Sequence, residues 1–295
     1  MEQRPFGRTG LNVTPLGFGG AEIGSLPIAQ DEVNALLNRL LDLGVNLIDT
    51  AAMYKVSEEL IGNAVAGRRD EFILVSKCGT DVPDIDHPNW SPELITKTVD
   101  RALESLKTDH LDVMLLHSCD LEVLRKGDAL EALIKARDAG KVRHVGYSGD
   151  NDAAAWAAAR PDIAVIQTSI NICDQRNIEA VLPICREHDV GVMAKRPIAN
   201  AAWRNLDDQP GMYKNYAKTY TERLKAMNIS PSDLGFDGDP NALWPGIALR
   251  FSVFQPGVHV AIVGTTNPKN VEANIKAIEE GPLPVVGDPG VVQVV

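Results

Sequence analysis

The stretch Val45-Asn46-Leu47-Ile48-Asp49-Thr50-Ala51-Ala52-Met53-Tyr54-Lys55-Val56-Ser57-Glu58-Glu59-Leu60-Ile61-Gly62 decides how the rest of the chain is read. Val45, Leu47 and Ile48 make a short apolar run of the kind that forms a buried strand. The run ends on an acid, Asp49. Small residues then turn the chain, and a helix is expected to open near Ser57. Tyr54 hangs on that turn. A carboxylate closing a buried strand, followed by a phenol on the exit loop, is more than a packing strand needs. In a closed parallel sheet this exit is the face on which active sites are built.

Outward from that stretch the same unit recurs. Strand-like apolar runs occur at Leu16–Gly20, Val45–Asp49, Phe72–Lys77, Leu111–His117, Val142–Ser148, Ile163–Thr168, Val190–Lys195 and Val258–Gly264. Helical patterns separate them. Glu32-Val33, Leu36-Leu37 and Leu40-Leu41 share one face, and Gly44 ends that helix. Ser91 caps a helix with Pro92 at its first position, running through Leu106. Ala129–Ala139 stops at Gly140, Gln175–Glu187 stops before Val190, and Asn267-Pro268 opens a helix carrying Val271, Asn274, Ile275 and Ile278. Strict alternation predicts parallel strands covered by helices. Eight units in 295 residues predict an α/β fold, a (β/α)8 TIM barrel, with residues 1–295 as one domain. Residues 2–14, around Gly7 and Thr9-Gly10, are expected to form an N-terminal β-hairpin. A doubly wound sheet is rejected: no helix is expected after Leu16-Gly-Phe-Gly-Gly20, and no acid follows at the required distance. Residues 196–240, rich in Asn, Asp, Pro and Gly with an amphipathic stretch Met212–Met227, read as a long loop insertion after the seventh strand. It is expected to wall or lid the pocket.

Charge narrows the partners. Lys and Arg number 29 against 40 Asp and Glu, a formal charge of −11. Such a surface repels nucleic acid and anionic membranes, so neither is expected as a partner. Cys78, Cys119, Cys173 and Cys185 include no C-x-x-C pair, which points to free thiols in a reducing compartment. With no apolar leader and no membrane-spanning run, a cytoplasmic location is expected. Cys78 and Cys119 flank the strand-end residues described next and read as small buried thiols.

If the barrel closes, its strand ends meet around one mouth: Gly19-Gly20, Asp49, Lys77, His117, Ser148, Gln167, Lys195 and Gly264-Thr265, with Tyr54 just beyond. These groups suit proton chemistry. A phenol holds its proton at neutral pH and is a poor acid. A neighbouring ammonium, Lys77, is expected to lower its pKa, and Asp49 to supply the buried lysine's counter-charge. His117 offers a donor to a carbonyl oxygen. Glu22, Met53, His87, Trp90, Ser118 and Trp203 are expected to line the pocket.

These residues resemble the aldo-keto reductases. Asp49-Thr-Ala-x-x-Tyr54-x-x-Ser57-Glu58-x-x-Ile61-Gly62 is similar to that family's first signature. Asp70-Glu-Phe-Ile-Leu-Val-Ser-Lys77-Cys-Gly resembles the motif that ends in its lysine, and Leu111-Asp112 to Leu116-His117 the one that ends in its histidine. Gly140-Lys141-Val142-Arg143-x-Val145-Gly146-x-Ser148 resembles the fifth-strand motif. The likeness runs from Phe6 to Asn274. It implies reversible NAD(P)H-dependent reduction of a small aldehyde or ketone, with Asp49, Tyr54, Lys77 and His117 as the catalytic set and Tyr54 as proton donor.

The resemblance also implies cofactor contacts. They fall at Gly20, Ser148, Gln167, Lys195, Arg196, Pro197, Gly264, Thr265, Lys269, Asn270 and Asn274. Three positions depart from the family's pattern, the first being Gly149, which stands where many members have asparagine. Lys195 stands where an aromatic residue usually stacks on the nicotinamide, leaving Trp203 or another group to meet that ring. Asn270 stands where an arginine commonly holds the 2′-phosphate, leaving Lys269 or Arg196 for that task. NADP(H) is expected ahead of NAD(H). Two rival readings stay open: a cofactor-binding regulatory barrel with little catalysis, and a metal-dependent hydrolase built on Asp49 and His117. No metal ligand set is expected, and the substrate and oligomeric state are not given by the sequence.

Overall fold

A side chain's direction along a strand has period two, and in a barrel alternate residues point to the axis. The computed structural model, which describes residues 1–80, 82, 84–209 and 213–284, has the barrel closed. Its strands are β3 (Leu16–Gly19), β4 (Leu47–Asp49), β5 (Ile73–Cys78), β6 (Leu111–His117), β7 (Val142–Ser148), β8 (Val165–Ser169), β9 (Gly191–Lys195) and β10 (Val260–Val263). They run parallel in chain order, and β10 pairs with β3 to close the ring. A two-stranded hairpin, β1 (Arg4–Pro5) and β2 (Asn12–Val13), precedes them. Phe6 and Val13 from this hairpin are fully buried against Leu47, Val75, Val113, Val165, Met193 and Val260, so it plugs the N-terminal end of the barrel.

That interior cluster also explains the mouth. Leu47, Val75, Leu115, Val165 and Met193 point to the axis. Two residues on, the same period sends Asp49, Lys77, His117, Gln167 and Lys195 inward as the next layer. Hydrophobic filler below thus fixes which polar side chains meet above. The outward-facing residues, among them Ile48, Leu74, Met114, Leu116 and Ile166, pack under the helices in the larger core.

The helices are α1 (Ala21–Ser25), α2 (Gln30–Asp42), α3 (Ser57–Val65), α4 (Pro92–Leu106), α5 (Leu121–Lys126), α6 (Asp128–Asp138), α7 (Asn151–Ala158), α8 (Arg176–Ala180), α9 (Leu182–Glu187), α10 (Lys214–Met227), α11 (Pro240–Val253) and α12 (Pro268–Glu279). Ser91 caps α4 as predicted, its hydroxyl accepting from the Leu94 amide at 3.2 Å. Two helical expectations need correction. The helix expected over Gln175–Glu187 is broken at Val181, just before Pro183, into α8 and α9. A helix does open after Gly20: α1 is one short turn that packs on α3. It carries no phosphate-loop glycine pattern, so the barrel reading is unaffected.

The predicted insertion holds α10 and continues into α11. Tyr220 and Leu224 of α10 pack with Ala202, Trp244, Ile247 and Phe251, a separate core over the barrel's C-terminal rim. Met212, the first residue of the predicted amphipathic stretch, lies outside the described residues, as do residues 285–295 of the predicted domain.

Candidate active site

Asp49, Tyr54, His117, Ser148, Gln167, Lys195, Arg196, Pro197, Gly264, Thr265, Asn270 and Asn274 line one cavity of about 1300 Å³ over the C-terminal face. Lys77 lies directly behind Asp49 and is buried. Its ammonium has three protons to give. They go to Asp49 Oδ1 at 2.8 Å, Asp49 Oδ2 at 2.8 Å and the Thr50 carbonyl at 2.7 Å. The chain is then extended: Gln167 Nε2 donates to Asp49 Oδ1 at 2.9 Å, and Ser148 Oγ donates to Gln167 Oε1 at 2.9 Å. A buried ion pair of this kind is tolerable only because every donor is matched.

Tyr54 and His117 sit above the pair. The Lys77 ammonium lies 4.9 Å from the centre of the Tyr54 ring. The two rings meet edge to face with centroids 5.9 Å apart. Burial works against the Lys77 ammonium, but Asp49 and Tyr54 outweigh it and hold the amine above its ordinary value. The same burial raises the Tyr54 phenol above its ordinary value, against the pull of Lys77. This corrects the expectation of a lowered phenol pKa: desolvation exceeds the attraction of Lys77, and the Asp49 carboxylate adds to it. Burial, with Lys77, Lys195 and Arg196 nearby, pushes the His117 pKa well below its ordinary value, so its imidazole is neutral at neutral pH. The site therefore presents a protonated phenol and a neutral imidazole to the same space.

A second ion pair lies beside the first. Lys195 Nζ is 3.1 Å from Asp150 Oδ2. Asp150 was missed in the sequence, although a buried cation at a strand end signals the need for such a partner. It also accepts from Thr168 Oγ1, the Ser169 amide and Asn177 Nδ2. Arg196 donates to Ser169 Oγ at 2.8 Å and lies 3.9 Å over the exposed ring of Tyr216 on α10. One face of Trp203 is turned to Trp244, with ring centroids 6.0 Å apart and 18° between the planes.

Other predicted positions fall away from the wall. Gly20 is behind it, its amide donating to the Asp49 carbonyl and its own carbonyl accepting from Ser57 Oγ. A Cβ there would meet Ser57 Oγ at 2.6 Å, so its glycine serves packing. Lys269 is exposed on the first turn of α12, its amide capped by Asn267. His87 is half-buried and contacts Lys97. Glu22, Met53, Trp90, Ser118 and Trp203 do line the cavity, together with Tyr213, Arg250 and Lys276, which periodicity did not single out. Cys78 and Cys119 are free and buried, and burial raises both thiols.

A nicotinamide cofactor fits these residues on three counts. With one N–H and one lone pair already engaged, Gln167 keeps one of each for a carboxamide. Gly264 leaves bare backbone at the wall, where a Cβ would stand 3.1 Å from the Gly19 carbonyl. The cavity extends from Tyr54 to Glu280 and exceeds the range of about 300–1000 Å³ usual for small-molecule pockets. Among the described residues no His, Cys, Asp or Glu cluster has the arrangement of a metal site, and no helix is long and apolar enough to cross a membrane.

The model of the aldo/keto reductase family matches residues 15–285. An L-galactose dehydrogenase from Arabidopsis thaliana is 25% identical over 302 residues, covering 95% of this chain and 89% of its own. An NADH-specific methylglyoxal reductase from Escherichia coli is 24% identical and covers 94% of each chain. A solved aldo-keto reductase from Bacillus halodurans, in its holo form, matches with a TM-score of 0.79 at 27% identity, over 96% of this chain and 93% of that one.

Proposed function

Because the chain belongs to the aldo/keto reductase family, whose members are NAD(P)-dependent oxidoreductases acting on small carbonyl compounds, we propose that it reduces an aldehyde or ketone to the alcohol, reversibly, with Tyr54 as proton donor. The observation that carries this is the fully hydrogen-bonded Lys77–Asp49 pair beneath a protonated Tyr54, which shares the cavity with a neutral His117. When bound, the cofactor supplies the hydride. Tyr54 gives its proton to the carbonyl oxygen, and Lys77 stabilises the phenolate left behind. Neutral His117 donates to the same oxygen and fixes its position. Asp49 keeps Lys77 charged and anchored. On this reading the chain acts as one catalytic domain, and its four free, buried thiols accord with a reducing, cytoplasmic setting.

Ser148 and Gln167 would hold the carboxamide. Lys195, Arg196 and Pro197 would follow the cofactor along the wall to Gly264, Thr265, Asn270 and Asn274. We favour NADP(H) over NAD(H), on the strength of Lys276 and Arg196, which line the cavity, in place of Lys269, which is not part of its lining. One observation favours NAD(H): Asn270 Nδ2 is occupied by Thr265 Oγ1 at 2.9 Å and presents no charge.

Tyr54→Phe tests the assignment. General acid catalysis contributes typically about 10²–10⁴-fold, so the variant should lose that much turnover. Its affinity for NADPH, read from quenching of tryptophan fluorescence, should be unchanged. Undiminished turnover would remove Tyr54 from its role. The same titration with NADH settles the cofactor, and binding of neither would count against the cofactor site itself.

A further inference from the structure

A helix that covers a barrel strand needs only an apolar face, and burying polar groups beneath it costs free energy unless each finds a partner. The start of α3 departs from that plan. Ser57 and Glu58 open the helix at 0% and 1% exposure, and neither lines the cavity. Their partners Thr50 and Ser76 are buried as well. A hydroxyl and a carboxylate are thus spent on the back of the wall.

What they hold are the chain neighbours of Asp49 and Lys77. Ser57 Oγ accepts from Thr50 Oγ1 at 2.8 Å and donates to the Gly20 carbonyl at 2.8 Å. Its amide donates to the Tyr54 carbonyl at 3.0 Å. The Thr50 carbonyl in turn accepts from the Lys77 ammonium at 2.7 Å. Glu58 grips the next strand: Oε1 accepts from Ser76 Oγ at 2.7 Å, and Oε2 from Arg101 Nη1 of α4 at 2.8 Å. Ser76 precedes Lys77 on β5, so period two turns Ser76 to the helix layer and Lys77 to the axis. The turn that carries Tyr54 is therefore tied to Lys77 by two routes, through Ser57 and Thr50 at the end of β4 and through Glu58 and Ser76 on β5. Between their ends lie the 4.9 Å from the Lys77 ammonium to the centre of the Tyr54 ring.

We propose that Ser57 and Glu58 are positioning residues for the proton transfer: from behind the cavity wall they clamp the Tyr54 turn against β4 and β5 and so set the separation of Tyr54 from Lys77. Apolar packing of α3 would let the helix slide on the strands, whereas directional bonds with matched partners hold one arrangement. A misplacement of about 1 Å arising far from the chemistry can cost about a hundredfold in rate. The charge of Glu58 serves its pair with Arg101, and its acceptor oxygen serves Ser76, so substitution can separate the two. The clamp rests on the reductase reading with Tyr54 as donor.

Ser57→Ala, Ser76→Ala, Glu58→Leu and Glu58→Gln are compared with wild type in the NADPH-dependent reduction of benzaldehyde, with turnover expressed per folded molecule. The first three should lose about tenfold to a hundredfold in kcat. Their KM and NADPH affinity should not change, because only the arrangement needed in the transition state is disturbed. Glu58→Gln still bonds Ser76 through its amide and should keep the wild-type kcat, even where loss of the Arg101 pair lowers its melting temperature. A second readout needs no turnover. With an isotope label at tyrosine Cζ, the NMR signal of Tyr54, identified by its absence in Tyr54→Phe, should shift in the three impaired variants and stay in place in Glu58→Gln. Undiminished kcat in folded Ser57→Ala and Ser76→Ala overturns the proposal, and so does a kcat that merely follows melting temperature across the set, Glu58→Gln included. Undiminished turnover in Tyr54→Phe is the separate failure of the donor assignment, which removes the clamp's part in catalysis while the Tyr54 signal still reports its geometry.

Discussion

Lys77→Met removes the ammonium on which the candidate site is assembled. The lysine donates three hydrogen bonds, two of them to Asp49. Once it is gone, Asp49 keeps only the Gln167 donor and stays 4% exposed. Stranding one member of a buried pair costs about 3–5 kcal/mol, a large share of the roughly 5–15 kcal/mol that holds a protein folded. Urea unfolding at pH 7, followed by circular dichroism, should show that loss as a lower midpoint at unchanged slope. Adding Asp49→Asn removes the stranded charge and should return part of the stability.

The pH dependence gives a separate check. In wild type the Lys77 amine is raised, so its contribution is complete at neutral pH and fades only as pH climbs past the ordinary lysine value toward the raised one. In Lys77→Met only the weaker pull of Lys195 and the Gln167 hydrogen bond offset the burial that pushes the Asp49 carboxyl up. A carboxyl whose folded pKa exceeds its unfolded pKa stabilises below the unfolded value and loses that as pH rises. The single variant should therefore gain on wild type as pH falls from 7 toward 4, and the double variant should not. A single-variant loss below about 1 kcal/mol at pH 7, the size of an exposed pair, would refute the reasoning.

Two further perturbations probe the geometry around the pair. The depressed His117 pKa means that its share of stability is present above the ordinary histidine value and lost as pH falls below it; His117→Asn should narrow its melting-temperature gap to wild type between pH 7 and 5, and a constant gap would contradict a buried neutral imidazole. Gly24→Ala would drive a Cβ into the Tyr54 carbonyl and to 2.8 Å from Ser57 Cβ. It should cost about 1–3 kcal/mol and lower turnover by displacing Tyr54, whereas Gly67→Ala, with open space around it, should do neither; equal effects at the two glycines would show that contact to be unimportant.

Much of this was legible because barrel interiors obey a short rule. Period-two alternation and strand ends suffice to bring Asp49, Lys77, His117, Gln167 and Lys195 into one layer. α11 escaped notice for the opposite reason. It is buried on most sides, from Trp244 through Val253, and so carries no apolar stripe to count. Tyr213 and Tyr216 reach the cavity through the way α10 packs over Ala199–Ala201 and Leu206–Asp208, a contact that no local pattern encodes. Gly20 and Lys269 were misplaced because motif spacing gives proximity to the mouth but not which side of the wall a residue occupies.

Lys195 shows how far neighbouring choices constrain one another. Placing a lysine at the end of β9 puts a second ammonium into the layer that already holds Lys77, and each cation disfavours the other. Burial lowers the Lys195 amine, while Asp150 acts to keep it charged. Asp150 itself needs its Thr168, Ser169 and Asn177 donors to remain ionised beside the barrel. Lysine at 195 therefore comes with a supporting set spread over β8, α8 and the loop after β7. Replacing Lys195 alone by an aromatic residue would leave Asp150 without its cation, so the pair has to be changed together for the site to accept a ring at that position.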